Sequence, residues 1–375
     1  MSSRYCLLAL LGLLPSLVAC GLPAAPQPPS LQLPEPVRDL SATRKGDSVQ
    51  LSWTPPIETT DGQTIRRPGS TYVCRNIYPP NAPTGAGKTI GNKVDPSQCS
   101  RIAELPPPRP GASKDRATFT DTLPPEFQRQ HATDVANYAV EVINFRGRSA
   151  GLSAAVQVPL APTLPPPLDL QAEVTAEGVR LAWSGMLHEH ESPELRHLYR
   201  VYRTSDPTAS ANQRLVVGEV QLASDTGASL LDRNIEWGNT YHYLVTAVTQ
   251  VPLPQGTAME VEGEDSAPLA VTPQDTFAPA TPTAVEAVFS GPGQPPFIDV
   301  VWTPSPDTDL AGYNIDRSTS GQTPTRINRE LVLTPSFRDS DVLPGMSYQY
   351  FVSAVDVRGN QSTRSEPATE TVPQN

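Results

Sequence analysis

Three histidines fall close together, His188, His190 and His197, with Glu189 and Glu191 between the first two and just after them. Imidazoles at i and i+2 share one face of a strand, and with a third nearby they have the donor types to share a metal. The spacing matches no standard zinc pattern and no cysteine lies nearby. A polar solvated loop is therefore the expectation, with His188, His190 and His197 as weak metal candidates. Asp307 and Asp309, in Pro306-Asp307-Thr308-Asp309, offer oxygens, but calcium takes about six to eight of them around a glycine-shaped turn. An aspartate ahead of a strand commonly forms a turn, and that is the reading here. The four cysteines are Cys6, Cys20, Cys74 and Cys99, without a CxxC spacing. Gly-x-Ser-x-Gly, His-Glu-x-x-His, a phosphate-binding glycine loop and a dinucleotide fingerprint are all missing from the sequence. No catalytic residues and no cofactor are expected.

The N-terminus carries chemistry of another kind. Met1 to Arg4 holds one positive charge, and Tyr5 to Val18 is almost wholly apolar, with Leu at 7, 8, 10, 11, 13, 14 and 17. About 14 residues suits a signal-peptide core and falls short of the roughly 20 that span a bilayer. Small Ala19 precedes Cys20. Leu17-Val18-Ala19-Cys20 resembles the bacterial lipoprotein cleavage box. That resemblance implies a signal at residues 1–19, a lipid on Cys20 and export from the cytoplasm. An ordinary secretory signal cut near Ala19 or Ala24 is the alternative. Gly21 stands where the family places an inner-membrane aspartate, which implies the outer membrane. In such an oxidising compartment Cys74 and Cys99 form a disulfide by default. Residues 20–33 form a proline-rich tether, with Pro23, Pro26, Pro28 and Pro29 continuing to Pro34 and Pro36. Extended polyproline at about 3.1 Å per residue would reach up to ~50 Å.

Composition narrows the partners. The formal net charge is −11, and no run of Lys or Arg lies along the chain, so a nucleic-acid binder is not expected. The 43 prolines and 24 glycines among 375 residues fall short of low-complexity disorder and punctuate apolar runs instead.

After the tether the chain repeats itself three times. Pro36-Val37-Arg38-Asp39-Leu40-Ser41-Ala42 recurs as Pro167-Leu168-Asp169-Leu170-Gln171-Ala172 and Pro282-Thr283-Ala284-Val285-Glu286-Ala287. An alternating strand ending in tryptophan follows each: Val49 to Trp53, Val179 to Trp183 and Ile298 to Trp302. Period-two alternation puts Val49, Leu51 and Trp53 on one face and Gln50 and Ser52 on the other. A third element ends in Asp121, Asp232 or Asp339. A long strand then begins near Tyr138, Tyr241 or Tyr348. No stretch sustains a 3.6-residue apolar period, so little helix is expected.

These residues resemble the fibronectin type III domain. The resemblance implies an all-β protein of three tandem immunoglobulin-like sandwiches, at 34–160 (with an inserted loop), 165–273 and 279–373. Trp53, Trp183 and Trp302 are expected in the cores. Tyr348 in Leu343-Pro344-Gly345-Met346-Ser347-Tyr348, and Tyr241 in Gly238-Asn239-Thr240-Tyr241, match the family's tyrosine corner. The first copy departs. Aligned through Arg-Gly, its Tyr138 falls opposite Tyr350, and Ala136 takes the corner position. Trp237 sits where the third copy has Pro344 and is expected as a lid over a sandwich end. Pro159–Pro167 and Pro273–Pro282 read as short, stiff joints. The implied protein is a non-enzymatic, lipid-anchored outer-membrane protein, a scaffold for binding, adhesion or spacing. Its expected partners are the membrane, through the lipid, and another envelope protein or a glycan. The alternative is a polysaccharide-binding or accessory module of a secreted hydrolase system.

Overall fold

The computed structural model describes residues 30–79, 100–107, 115–185, 194–222, 227–252, 258–319 and 321–374. Each domain opens with a half-buried strand pair. In the first, β1 (Ser41–Lys45) pairs with β2 (Ser48–Trp53). Val49, Leu51 and Trp53 point inward at no more than 1% exposure while Gln50 faces solvent. β3 (Pro68–Tyr78), β4 (Arg101–Leu105), β5 (Ala117–Thr122), β6 (Val135–Asn144) and β7 (Val156–Pro159) complete it. β1-β2-β5 make one layer and β4-β3-β6-β7 the other.

The second domain has β8 (Leu168–Thr175), β9 (Gly178–Ser184), β10 (Arg196–Thr204), β11 (Leu215–Gln221), β12 (Ala228–Asp232), β13 (Tyr241–Pro252), β14 (Ala258–Asp265) and β15 (Leu269–Val271). Its layers are β12-β9-β8 and β11-β10-β13, with both β14 and β15 paired to β13. The third has β16 (Thr283–Phe289), β17 (Ile298–Thr303), β18 (Leu310–Thr319), β19 (Thr325–Arg326), β20 (Ser336–Asp339), β21 (Ser347–Asp356) and β22 (Ala368–Thr371), in layers β16-β17-β20 and β19-β18-β21-β22. A three-stranded layer facing a four-stranded one, in this order, is the fibronectin type III-like immunoglobulin sandwich. The protein is all-β in this sense.

A separate core fills each sandwich. Trp53 and Tyr138 centre the first, Trp183 and Tyr243 the second, Trp302 and Tyr350 the third. Trp183 meets Tyr199 edge-on at 5.6 Å, and Trp302 meets Tyr313 at 5.1 Å. Val301 takes an outward site of β17, at 39% exposure, between Asp299 and Thr303. Tyr241 and Tyr348 tie their corners, accepting the Glu236 and Leu343 N–H at 2.9 Å.

Two elements have no signal in the repeat. A short helix, α1 (Pro125–Gln130), sits where the first domain lacks its corner tyrosine. Its Gln128 is 1% exposed. That side chain donates to Asp47 Oδ1 and the Leu123 carbonyl, both at 2.7 Å, and accepts from Arg44 at 2.8 Å. The second element is β14, which extends the β13 hairpin onto the first domain. Lys45 pairs in parallel with Glu262, so one eight-stranded sheet runs through both sandwiches.

Candidate functional site

One polar motif recurs inside all three sandwiches. Tyr138, Tyr243 and Tyr350 donate to Asp121, Asp232 and Asp339 at 2.7, 2.9 and 2.8 Å. Arg75, Arg203 and Arg317 reach the same carboxylates at 2.7 Å. Burial raises each phenol's pKa, and the hydrogen bond to the carboxylate raises it further. The phenols therefore stay protonated well past their ordinary range and act as permanent donors. Asp and Arg complete the brace, each carboxylate taking both the phenol and the guanidinium on one oxygen. The alignment of Tyr138 with Tyr350 carried this signal, and the aspartates closing the third element were its second half.

The joints are built from charge and rings. At the first, Lys45 bridges Glu262 at 2.9 Å and also Asp265. Arg200 ties Glu219 and Glu260 at 2.7 Å and Glu262 at 3.1 Å, and Arg214 holds Asp265 at 2.8 Å. Burial alone would raise the Glu262 pKa, but hydrogen bonds from Tyr202 and Lys45 outweigh it and hold the carboxyl below its ordinary range. Tyr202, partly buried and donating to Glu262, is pushed up to about 12. Ala161 of the connecting segment is fully buried with Leu195 and Val251, and Ala132 packs on them. At the second joint Trp237 lies 6.2 Å from Phe277 and 6.0 Å from the Arg358 guanidinium. Trp237 is half-buried against the connecting segment, a joint contact rather than a lid over a sandwich end.

Asp309 stands with Asp275 and Asp356, carboxylate oxygens all within 4.8 Å. No spacing in the sequence links these three. Asp356 is already engaged: Oδ1 accepts from the Arg358 and Asn360 N–H at 2.8 and 2.9 Å, and Oδ2 from Asn360 Nδ2 at 2.8 Å. Asp275 faces Arg358 at 3.8 Å. With the Asn360 side chain on the Asp275 carbonyl at 3.2 Å, these contacts tie the turn to the linker. Asp307 accepts from Ser305 Oγ and, at 2.7 Å, from the Ala280 N–H, so it does form a turn contact.

The remaining sequence candidates lie as follows. His197 is buried on β10 with Nδ1 3.2 Å from Thr249 Oγ1. His188 and His190 lie outside the described residues, as do Cys20 and Cys99. Cys74 is 2% exposed on β3, beside Ala139 and Leu152, and its sulfur is engaged. A depression of about 300 Å3 is lined by Arg75, Asn76, Ile77, Tyr78, Ser100 and Ile102.

The fold also assembles a basic pole that no run in the sequence announces. Arg66 and Arg67 come from the β2–β3 connection, and Arg146 and Arg148 from the turn after β6; all four are exposed. Phe145, 43% exposed, lies 5.7 Å from the Arg67 guanidinium and 5.1 Å from that of Arg146. The arriving chain crosses the same end, where Asn144 Nδ2 donates to the Leu31 carbonyl at 3.0 Å.

No protein-family model matches the chain. Exoglucanase B of Cellulomonas fimi is 27% identical over 179 residues, which is 45% of this chain and 14% of that protein. The chain thus spans about a seventh of that relative's length. Among solved structures, an Fn3-like protein from Clostridium thermocellum is 31% identical, over 26% of this chain and 98% of that one, with a TM-score of 0.23. The FN1–FN3 domains of chicken CNTN1 are 14% identical, over 91% of this chain and 100% of that one, with a TM-score of 0.24. The strand order, rather than these likenesses, assigns the fold.

Proposed function

We propose that the chain is a non-catalytic, lipid-anchored spacer of the outer membrane, holding a partner at a set distance through three sandwiches joined by closed hinges. The joints carry this reading. Lys45 is gripped by Glu262 and Asp265 at the first, and Trp237 packs on Phe277 at the second. Flexible beads would need neither contact. The Tyr–Asp–Arg groups inside the sandwiches are paired braces, which suits mechanical work. In this reading Cys20 carries the lipid, residues 20–33 are the tether, and Cys74 pairs with Cys99 at the base of the 80–99 segment. Cys20→Ser should abolish palmitate labelling and release the chain or leave it unprocessed. A wild type recovered wholly soluble in the periplasm would sink the anchor.

A second reading, a glycan-binding accessory module, is favoured by the similarity to exoglucanase B. Its check is co-sedimentation with an insoluble glucan, where retention above that of an unrelated sandwich protein would support it.

A further inference from the structure

The first and third domains use one turn to receive the chain that enters them. Asn144-Phe145-Arg146-Gly147 and Asp356-Val357-Arg358-Gly359 occupy equivalent places after β6 and β21. Each turn's first side chain accepts two of the turn's own N–H groups. Asn144 Oδ1 takes those of Arg146 and Arg148 at 2.9 and 3.0 Å, and Asp356 Oδ1 those of Arg358 and Asn360 at 2.8 and 2.9 Å. Each turn also holds a carbonyl of the arriving segment: Asn144 donates to Leu31 at 3.0 Å, Asn360 to Asp275 at 3.2 Å.

What lies beyond the turn differs. In the third domain Arg358 faces Trp237 of the preceding domain and Asp275 of the linker. In the first domain the equivalent Arg146 stacks, among the described residues, on its neighbour Phe145 alone. The surface there is open, with Leu31, Ile57 and Phe145 at 55%, 60% and 43% exposure. Ile57 belongs to the same end: its carbonyl accepts the Ile65 N–H at 2.9 Å, and the Leu33 carbonyl accepts the Thr60 N–H at 2.9 Å. Arg66, Arg67, Arg146 and Arg148 have no ion pair among the described residues; the β2–β3 connection also carries exposed Glu58 and Asp61, and Glu35, whose N–H donates to the Glu58 carbonyl at 3.0 Å, pairs with Arg38 at 3.4 Å. Most other arginines of this acidic chain are neutralised, as Arg75, Arg203, Arg214, Arg317 and Arg364 are. A basic, partly aromatic pole thus points toward whatever precedes the first domain.

We propose that this pole rests on an anionic phospholipid surface, with Phe145 at headgroup depth between Arg67 and Arg146. Charge complementarity argues for that occupant: unpaired arginines near an anionic leaflet are attracted within a Debye length, and an exposed ring settles at the interface. Distance argues for it too. Leu31, whose carbonyl Asn144 holds at the pole, is eleven residues after Cys20, and no chain of that length spans more than ~40 Å, so the pole stays within that reach of a lipid on the cysteine. The anchor reading supplies this orientation. The attraction itself belongs to the pole and needs no acyl chain.

The test uses the full chain from residue 20 with Cys20→Ser, so that it carries no lipid, sedimented with vesicles of phosphatidylcholine and phosphatidylglycerol in equal parts. The expected result is partition onto these vesicles above that onto pure phosphatidylcholine, lost on adding salt. It should fall about tenfold in Arg67→Glu/Arg146→Glu and several-fold in Phe145→Ala, and stay unchanged in Arg329→Glu on the third domain. All variants should share the wild-type melting curve, because the substituted side chains are exposed. Equal partition of wild type and charge-reversed protein overturns the proposal, as does no excess on the anionic vesicles. If the charge reversal instead removes only retention on polygalacturonate, the occupant is an anionic glycan. If it removes only self-association in the ultracentrifuge, the occupant is a second copy. Either outcome ends the membrane assignment. Palmitate labelling of wild type reports the anchor separately, so labelled protein whose acyl-free form ignores anionic vesicles overturns the pole alone. Unlabelled protein whose acyl-free form binds them overturns the anchor alone.

Discussion

Asp339 shows what a single side chain does in this protein. It is 5% exposed and takes hydrogen bonds from Tyr350 at 2.8 Å and Arg317 at 2.7 Å. Removing it leaves a buried phenol without its acceptor and a guanidinium without its counter-charge. Asp339→Ala should therefore cost about 3 kcal/mol, read as a lower melting transition for the third domain with the others nearly in place, since each sandwich has its own core. The tyrosine end of the brace gives a pH dependence with a definite sign. Burial first, and the hydrogen bond to Asp339 second, hold the Tyr350 pKa above its ordinary 10.0. Tyr138 and Tyr243 are raised for the same reasons. A group whose folded pKa is raised contributes stability that is complete below the unfolded value and lost as pH climbs toward the folded one. The protein should hold its denaturant midpoint up to about pH 9–10 and lose it steeply above, by up to about 1.4 kcal/mol per pH unit for each of these tyrosines. Tyr350→Phe should be less stable at neutral pH, yet show a shallower alkaline loss in the third domain. Equal alkaline slopes for the two proteins would refute this.

Elements differ in how far the sequence discloses them. Strands such as β2, β9 and β17 were legible because each has one buried face, so Val49, Leu51 and Trp53 alternate with polar neighbours. The corners at Tyr241 and Tyr348 were legible because a glycine turn and a tyrosine sit at fixed spacing. Helix α1 was not legible, since six residues are too few to show a period. Nor was β14, because the partners of Glu260 and Glu262, Arg200 and Lys45, are far from them in the chain. The basic pole and the Asp275, Asp309, Asp356 cluster gather residues far apart in the chain, which no local pattern encodes. Because α1 replaces a tyrosine corner, its plug is the sensitive point. Burial lowers the Arg44 pKa to about 10, with Tyr138 and Asp47 opposing that fall, and Gln128 is one of its few partners. Gln128→Leu keeps the volume and removes the three hydrogen bonds. A loss of about 2 kcal/mol confined to the first domain is expected, read by calorimetry. If Cys74 and Cys99 close the 80–99 insertion, a loop of about 25 residues is crosslinked, and Cys74→Ser/Cys99→Ser should cost the first domain roughly 3 kcal/mol in the chain-entropy picture. Non-reducing peptide mapping decides it, and both thiols alkylating freely before reduction would refute the pairing.

At the scale of the whole molecule, the question is what keeps the first two sandwiches from swinging. Backbone contact there is slight: one parallel pairing of Lys45 with Glu262, and the Gly46 N–H on the Glu262 carbonyl at 2.8 Å. The apolar contact is a small cluster around Ala161, Leu195 and Val251. Charge must therefore fix the angle. Among the described residues Lys45 is the one cation the first domain sends into a group otherwise supplied by the second, where Glu262 and Asp265 receive it and Arg200, Arg214 and Tyr202 hold those carboxylates in place. Burial by itself would raise both carboxyl pKa values, but hydrogen bonds from Tyr202 and Lys45 to Glu262, and from Lys45 and Arg214 to Asp265, leave both depressed. A depressed carboxylate contributes stability that is present above its ordinary pKa and lost as pH falls through the folded value. The ordinary values are 4.5 and 3.8, so the angle should stay fixed from neutral pH down to about 5 and loosen only in stronger acid. Lys45→Met keeps the apolar stem and deletes the charge, which leaves Glu262 and Asp265 without their partner across the joint while each sandwich keeps its fold. Spin labels on exposed strand positions of the two domains, read by pulsed dipolar spectroscopy, should give one narrow distance for wild type at neutral pH. Lys45→Met should give a broad one at the same pH, and wild type should match it only in acid. High salt should broaden the wild type partway, because the pair is about one-third exposed and incompletely screened. If Lys45→Met keeps the narrow distance, the apolar cluster alone sets the angle and the charge network is decoration.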